Sequence, residues 1–226
     1  MTALAKASRP VRVECVAFGI NFDRPAPSLE VLVDRSKDVK SPAFVLPSSV
    51  LGNGETLERV AVQILKMRAG IRDIYLEQLY TFDSEREGSI AVSYYGLTNR
   101  SGKVPSTGSA WIDLNSQGGL QLVGRDMKVL AKALARLRAK VRYEPIGFSM
   151  LPERFTMPQL RGLYEAVLGH PIDDRNFSRR MLSMGILRRV SETKREKGEQ
   201  GRPAVIYEFD DKAYERLAKK GWSFEI

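Results

Sequence analysis

The stretch FTMPQLRGLYEAVLGHPIDDRNFSRRMLSMG, residues 155–185, is punctuated so densely that its backbone has few alternatives. Thr156 is a helix N-cap, and Gln159 three residues on completes a capping box. Pro158 falls in the first turn, where its missing N–H removes no intrahelical bond. Gly169 ends that helix. HPI makes a short turn, Asp173 caps a second helix, and Gly185 closes it. ILRRVSET and AVIYEF then read as two strands joined by the polar, basic loop KREKGEQGRP.

Helix, short turn, helix and β-hairpin is the element order of a winged helix-turn-helix. On the second helix Phe177, Met181 and Met184 share one face at i, i+4 and i+7, the face expected to pack on the core. At about 100° per residue, Arg175 and Arg179 lie opposite it, with Asn176, Arg180 and Ser183 alongside. Arginine pairs bidentately with guanine and asparagine with adenine, and either grips phosphate. The hairpin tip adds Lys194, Arg195, Lys197 and Arg202, placed to meet backbone phosphates or a minor groove. Asp173 and Asp174 suit the positive end of the helix dipole and read as helix starters rather than contacts.

The charge distribution points the same way. Residues 1–124 carry 14 Lys and Arg against 13 Asp and Glu, whereas residues 125–226 carry 22 against 14. A basic excess confined to one end implies a polyanionic partner, nucleic acid before acidic membrane. No apolar run reaches the roughly 20 residues that span a bilayer. The first residues, MTALAKASRPVRVE, lack the apolar core of an export signal. The single Cys15 excludes an internal disulfide and suits a reducing cytoplasm. With His170 the only histidine, a structural zinc site of four Cys or His ligands is excluded.

The first half is strand-rich. Residues 11–20 and 29–35 alternate as strands, an amphipathic helix runs over 57–69, and 74–83 and 89–98 read as two more strands. Residues 101–110 read as a loop. The fold class is therefore α+β, an N-terminal mixed α/β sandwich with a C-terminal winged helix-turn-helix. A long helix from 125 to 143 joins them. Its Met127, Leu130, Leu134, Leu137 and Val141 are spaced 3-4-3-4, a seam for linking domains, for dimerisation, or for both. The expected division is a first domain over 1–124, a linker helix over 125–143 and a DNA-binding domain over 144–226.

Residues 49–71 resemble the Nudix box: Gly, five residues, Glu, seven residues, Arg-Glu, an aliphatic, one residue, Glu-Glu, one residue, Gly, an aliphatic. Glu55, Leu65, Gly70 and Ile71 match it. Ser49, Gln63, Ile64, Met67 and Arg68 stand where the opening Gly, the Arg and three of the Glu residues belong. Pyrophosphate cleavage by that family needs Mg²⁺ held by clustered oxygen ligands. Two ligand positions here are apolar and a third is a guanidinium, so neither metal, cofactor nor hydrolysis is expected. No Ser-His-Asp or Cys-His arrangement offers another chemistry, and His170, before Pro171 in a turn, reads as structural.

Together with YLEQLYTFD, AVSYYGL, LRAKVRYEPIGFSMLPERFTMPQLRGLYEAVLG and GRPAVIYEF, the box resembles the Nudix-related transcriptional regulators over essentially the whole chain. The resemblance implies a Nudix-like effector-sensing domain fused to a winged helix-turn-helix, acting as a cytoplasmic homodimer on a palindromic operator in double-stranded DNA. It implies that the helix of residues 173–184 enters the major groove and that the hairpin near Arg202 lies against the backbone. One branch of the family represses NAD metabolism and responds to ADP-ribose; another responds to a sugar. The implied effector is an ADP-ribose-like nucleotide or a sugar or sugar phosphate, with Arg35, Arg68 and Arg86 available for phosphate. The competing readings are a divergent Nudix-type nucleotide pyrophosphohydrolase, an RNA-binding protein, and a sensor whose winged helix binds another protein.

Overall fold

The alternation of residues 11–20 is realised as β1 (Val11–Asn21), the central strand, whose two faces feed two separate cores. The computed structural model describes residues 9–36, 43–72, 74–84, 88–100, 102–116, 120–194 and 204–226. After β1 come β2 (Ser28–Arg35), β3 (Phe44–Val45), β4 (Ser48–Val50), α1 (Leu57–Ala69), β5 (Tyr75–Ser84), β6 (Ser89–Asn99) and β7 (Ser109–Asp113). They form one seven-stranded sheet of order β3-β2-β1-β6-β5, with β4 on β1 and β7 on β2. β1 and β6 run parallel, and the remaining pairs are antiparallel. The loop expected over 101–110 gives way to β7 at Ser109. There Trp111 and Ile112 pair with Leu32 and Val31, a non-local pairing that five residues of sequence do not announce.

Period-two alternation sorts the side chains. Val13, Cys15 and Ala17 face α1 and join Leu32, Val92 and Tyr94 under Val60, Ala61, Ile64 and Leu65. Val16, Phe18 and Ile20 face the other way, with Leu29, Val31, Val33, Tyr95 and Leu97. That second face is covered by α2 (Asp126–Lys140), a 3₁₀ turn (Pro145–Met150) and, after β8 (Phe155–Thr156), the helix α3 (Met157–Leu168).

Most of the α2 seam packs within the chain. Leu130, Leu137 and Val141 are buried against the chain's own sheet and Leu134 is half-buried, while Met127 at the helix start remains exposed. Val129 and Ala133 are also buried. A straight helix drifts off a 3.5-residue repeat, so neighbouring positions turn inward and widen the stripe into a globular packing face.

The C-terminal region completes the expected order with α4 (Asp174–Ser183), β9 (Leu187–Lys194) and β10 (Ala204–Phe209), and adds α5 (Asp211–Ala218). The capping box at α3 is present in both directions. Gln159 N–H donates to Thr156 Oγ1 at 3.3 Å, and Thr156 N–H donates to Gln159 Oε1 at 2.9 Å. Gly169 ends α3 at φ 80°, a left-handed conformation that favours glycine. The small sheet, of order β8-β10-β9, backs α3 and α4. Leu160, Leu163, Tyr164, Phe177, Met181 and Ile186 belong to the same apolar cluster as Phe18 and Val31, so one continuous core runs from the large sheet to the second C-terminal helix. Where α3 crosses the β1–β2 loop, a Cβ on Gly162 would lie 2.7 Å from Pro27 Cγ, so only glycine permits that approach.

Candidate nucleic-acid interface and sensor face

α4 has one buried face and one free face. Asp173 caps it by accepting from Asn176 N–H at 2.8 Å. Phe177 and Met181 are buried and Met184 is half-buried, as the spacing predicts. The Phe177 ring lies 5.5 Å from that of Tyr164, fixing α4 on α3. Arg175, Asn176, Arg179, Arg180 and Ser183 are all exposed. Their partners differ. Arg179 Nη2 donates to Asn176 Oδ1 at 2.6 Å. Arg180 Nε donates to the Glu225 carbonyl at 2.8 Å, and its Nη2 lies 3.4 Å from Glu225 Oε2. Ser183 Oγ donates to the Arg180 carbonyl at 2.8 Å. Asp174, at the end that must approach an anion, is paired with Arg161 Nη1 at 2.8 Å.

At the wing, Lys194 is the last residue of β9 and pairs with Ala204 across the ladder. Arg195, Lys197 and Arg202 lie outside the described residues. Behind the wing, Glu208 of β10 is nearly buried and accepts from Arg154 at 3.0 Å and from Arg188.

Of the three arginines offered for an effector in the N-terminal domain, the two described, Arg35 and Arg68, do not converge. Arg86 lies outside the described residues. Arg35 is exposed at the end of β2, and strand alternation turns it to the face opposite Asp34. Arg68 Nε is committed to Asp34 Oδ2 at 2.7 Å, while Ser109 Oγ donates to Asp34 Oδ1 at 2.6 Å. Ile64 is buried in the core under α1, and Met67 is exposed. Glu55 accepts from Gly52 N–H at 2.9 Å and so closes the turn before the helix. Glu58 borders a shallow, open depression of about 450 Å³ on the outer face of α1, with Arg59, Gln63 and Lys66. Among the described residues, no three His, Cys, Asp or Glu side chains are grouped so as to hold a metal ion.

Three polar clusters escaped the sequence reading. On the α1 face, beyond the apolar residues, Glu30 is buried, accepts from Asn21 Nδ2 at 2.9 Å and pairs with Arg100. Beside them Ser28 Oγ and Trp111 Nε1 are buried with no hydrogen-bond partner among the described residues. On the opposite face, Glu14 is 3% exposed and accepts from Ser93 Oγ and from Arg125 Nη2 at 2.9 Å. Next to Arg125, Asp126 accepts from Leu46 N–H at 2.7 Å, and burial pushes its carboxyl above the usual range against that bond. The third cluster ties α2 to β5 and β6. Glu77 accepts from Tyr75 at 2.6 Å, Lys140 at 2.7 Å, Tyr95 at 3.0 Å and Arg136 at 3.0 Å. Burial would raise the Glu77 carboxyl, but the bonds from Lys140, Tyr75 and Tyr95 outweigh it and hold the carboxyl below its ordinary value. The available signal was a charged or amide residue at an inward position of an alternating strand, as in LEVLV and VRVECVAF.

Residues 147–209 match the family model of the NrtR DNA-binding winged helix domain. The ADPR responsive transcriptional repressor NtrR of Acinetobacter baylyi is 31% identical over 189 residues, covering 79% of this chain and 74% of that protein. The chain belongs to the NrtR family of Nudix-related transcriptional regulators. The NrtR fold is matched along nearly its whole length by Shewanella oneidensis NrtR complexed with a 27mer DNA, with a TM-score of 0.74 at 24% identity over 95% of this chain and 97% of that one. The NUDIX domain of Shewanella oneidensis NrtR complexed with ADP ribose superimposes with a TM-score of 0.50 at 21% identity, over 61% of this chain and 94% of that domain. The NrtR match is at the level of fold in both structures, and it covers the N-terminal sheet as well as the winged helix. Among the described residues no helix is long and apolar enough to cross a membrane.

Proposed function

We propose that this NrtR-family chain is an ADP-ribose-responsive transcriptional repressor that binds a palindromic DNA operator as a homodimer and does not hydrolyse its effector. The observation that carries the reading is the exposed Arg175–Asn176–Arg179 face of α4, held on a winged helix that shares a core with a Nudix-type sheet. The Acinetobacter baylyi relative, an ADPR responsive transcriptional repressor, supports repression and the effector. Residues 144–226 read DNA, with Arg175, Asn176, Arg179, Arg180 and Ser183 on α4 and Lys194, Arg195, Lys197 and Arg202 at the wing. Residues 1–124 sense the effector, and α2 within 125–143 joins the two.

The sensor surface in this reading is the α1 face of the sheet. The unpartnered Ser28 hydroxyl and Trp111 indole N–H, beside Asn21, Glu30 and Arg100, supply the donors, acceptors and aromatic surface that a hydroxyl-rich nucleotide requires. Hydrolysis is not part of it, because Ile64, Met67 and Arg68 occupy positions that need carboxylates. An effector releases DNA only if it favours an arrangement in which paired α4 helices no longer match successive major grooves. The continuous core from β2 through α3 to α4 supports direct transmission of such a shift.

The test is selection of bound duplexes from a random pool, then fluorescence anisotropy with and without ADP-ribose, with nucleotide release from ADP-ribose and Mg²⁺ followed in parallel. The expected result is operator binding weakened at least tenfold by ADP-ribose, with no turnover. Turnover above about 1 s⁻¹, within the ordinary enzyme range, would overturn the non-catalytic reading. Indifference to every duplex at modest salt would overturn the regulator.

A further inference from the structure

The five polar residues on the free face of α4 are not equivalent, and their contacts divide them into readers and supports. We propose that Arg175 and Arg179 each read a guanine, the two guanines lying about two base pairs apart in every half-site, and that Asn176 is a positioning residue for Arg179 rather than an adenine reader. The proposal rests on the DNA-binding reading above.

Bidentate recognition of adenine uses both ends of an asparagine amide, the oxygen toward N6 and the nitrogen toward N7. In this chain the Asn176 oxygen accepts from Arg179 Nη2 at 2.6 Å. One hydrogen of Nη2 is spent on that bond. The other, with a hydrogen of Nη1, forms the end-on pair that fits guanine O6 and N7. A guanidinium fixed before binding loses less conformational freedom when it binds. Asn176 is itself anchored, its backbone N–H being the group that Asp173 caps at 2.8 Å.

Arg175 precedes Arg179 by four residues, so the two lie on one face, about 6 Å apart along the axis. At 3.4 Å per base pair that separation spans about two steps. Among the described residues no hydrogen bond or ion pair holds the Arg175 side chain, which leaves it free for a base edge. Arg180 is different. Its Nε and Nη2 are engaged by Glu225, in a segment whose Phe224 is 2% exposed, so Arg180 fastens the helix to the domain and carries no base preference. Arg161 neutralises Asp174 at 2.8 Å and allows the arginine-bearing end of the helix to approach phosphates.

The experiment uses the full chain. Duplexes selected by the wild type are re-measured by fluorescence anisotropy with each base pair replaced in turn, for wild type, Arg175→Ala, Arg179→Ala, Asn176→Ala, Asn176→Asp and Arg180→Ala. Arg175→Ala and Arg179→Ala are each expected to erase preference at one guanine, by about 5- to 150-fold, the discrimination of one bidentate pair. Asn176→Ala should weaken preference at the Arg179 guanine and at no adenine. Asn176→Asp keeps the acceptor, so it should restore that preference while weakening all duplexes alike. Arg180→Ala should leave the preference profile unchanged. Loss of an adenine preference in both Asn176 variants, with the guanine preference intact, would overturn the assignment, as would a selected half-site without guanines two steps apart. A wild type that binds no duplex removes the DNA reading itself, and this proposal with it.

Discussion

Substituting Gly162 by alanine sets two effects of opposite sign against each other. In an exposed helix interior the change stabilises by about 1 kcal/mol, because alanine has less backbone entropy to lose. Here the new Cβ would lie 2.7 Å from Pro27 Cγ, 3.2 Å from its Cδ and 3.5 Å from its Cβ. Carbon atoms rest about 3.5–4.0 Å apart, so α3 must retreat from the β1–β2 loop by about 1 Å. The proline ring is closed on its own backbone and cannot swing aside as a long side chain would. Overpacking of this kind costs about 1–3 kcal/mol, which leaves a net loss of about 0–2 kcal/mol. Urea unfolding measures it, and Pro27→Ala isolates the cause by removing the two nearest atoms. In the double variant the helical gain should return, giving a coupling of about 1–3 kcal/mol in a double-mutant cycle. Because α3 carries α4 through Tyr164–Phe177 and Arg161–Asp174, operator affinity should fall in Gly162→Ala and recover in the double variant. A Gly162→Ala protein stabilised by about 1 kcal/mol, with no coupling to Pro27, would refute the docking argument.

Tyr164→Phe should leave stability unchanged or raise it, since the Tyr164 hydroxyl is buried with no partner among the described residues and its desolvation costs about 1–3 kcal/mol; a loss above about 1 kcal/mol in denaturant unfolding contradicts this. Leu137→Ala should cost about 2–5 kcal/mol as a core truncation and leave the mass in solution unchanged, because its packing is within the chain. For the Glu77 cluster the folded carboxyl titrates below its ordinary value of 4.5, so its contribution is present above about pH 4.5 and is lost as pH falls through the folded value. Glu77→Gln should therefore destabilise by about 1–3 kcal/mol near neutral pH, with the gap to wild type closing in acid. Equal pH profiles for the two proteins would show that the cluster does not couple α2 to the sheet.

Sequence reading succeeded wherever local chemistry decides the backbone. Residues 57–69, the capping box at Thr156, the Asp173 cap and the hairpin after Gly185 are fixed by neighbours within a few residues, and all are found where the spacing puts them. It faltered where partners are distant. β7 exists because Trp111 finds Leu32 across the sheet, and α5 because Ala213 and Tyr214 close on the winged-helix core. The α2 seam is a question of partner rather than pattern: most of it meets Val16, Phe18 and Val31, which no local spacing announces. The recognition face was readable as composition, but the supporting role of Arg180 depends on Glu225, which lies 45 residues further along the chain.

The substituted box explains how a catalytic scaffold persists without its acids. Two of the replaced positions, 64 and 68, make structural ties. Ile64 fills the core under α1. Arg68 binds Asp34, and its carbonyl accepts from Ser106 N–H at 2.7 Å, which joins the end of α1 to β2 and to the loop before β7. Restoring a carboxylate at position 68 alone would set it against Asp34, so repulsion would replace an ion pair at the place where a metal must bind. Restoring one at position 64 would bury an acid among Val60, Leu65 and Val92 with no partner. On the non-catalytic reading proposed above, a return to hydrolysis passes through destabilised intermediates. The helix and sheet are kept by their packing, while on the other face of β1 a second core joins β2, α3 and α4.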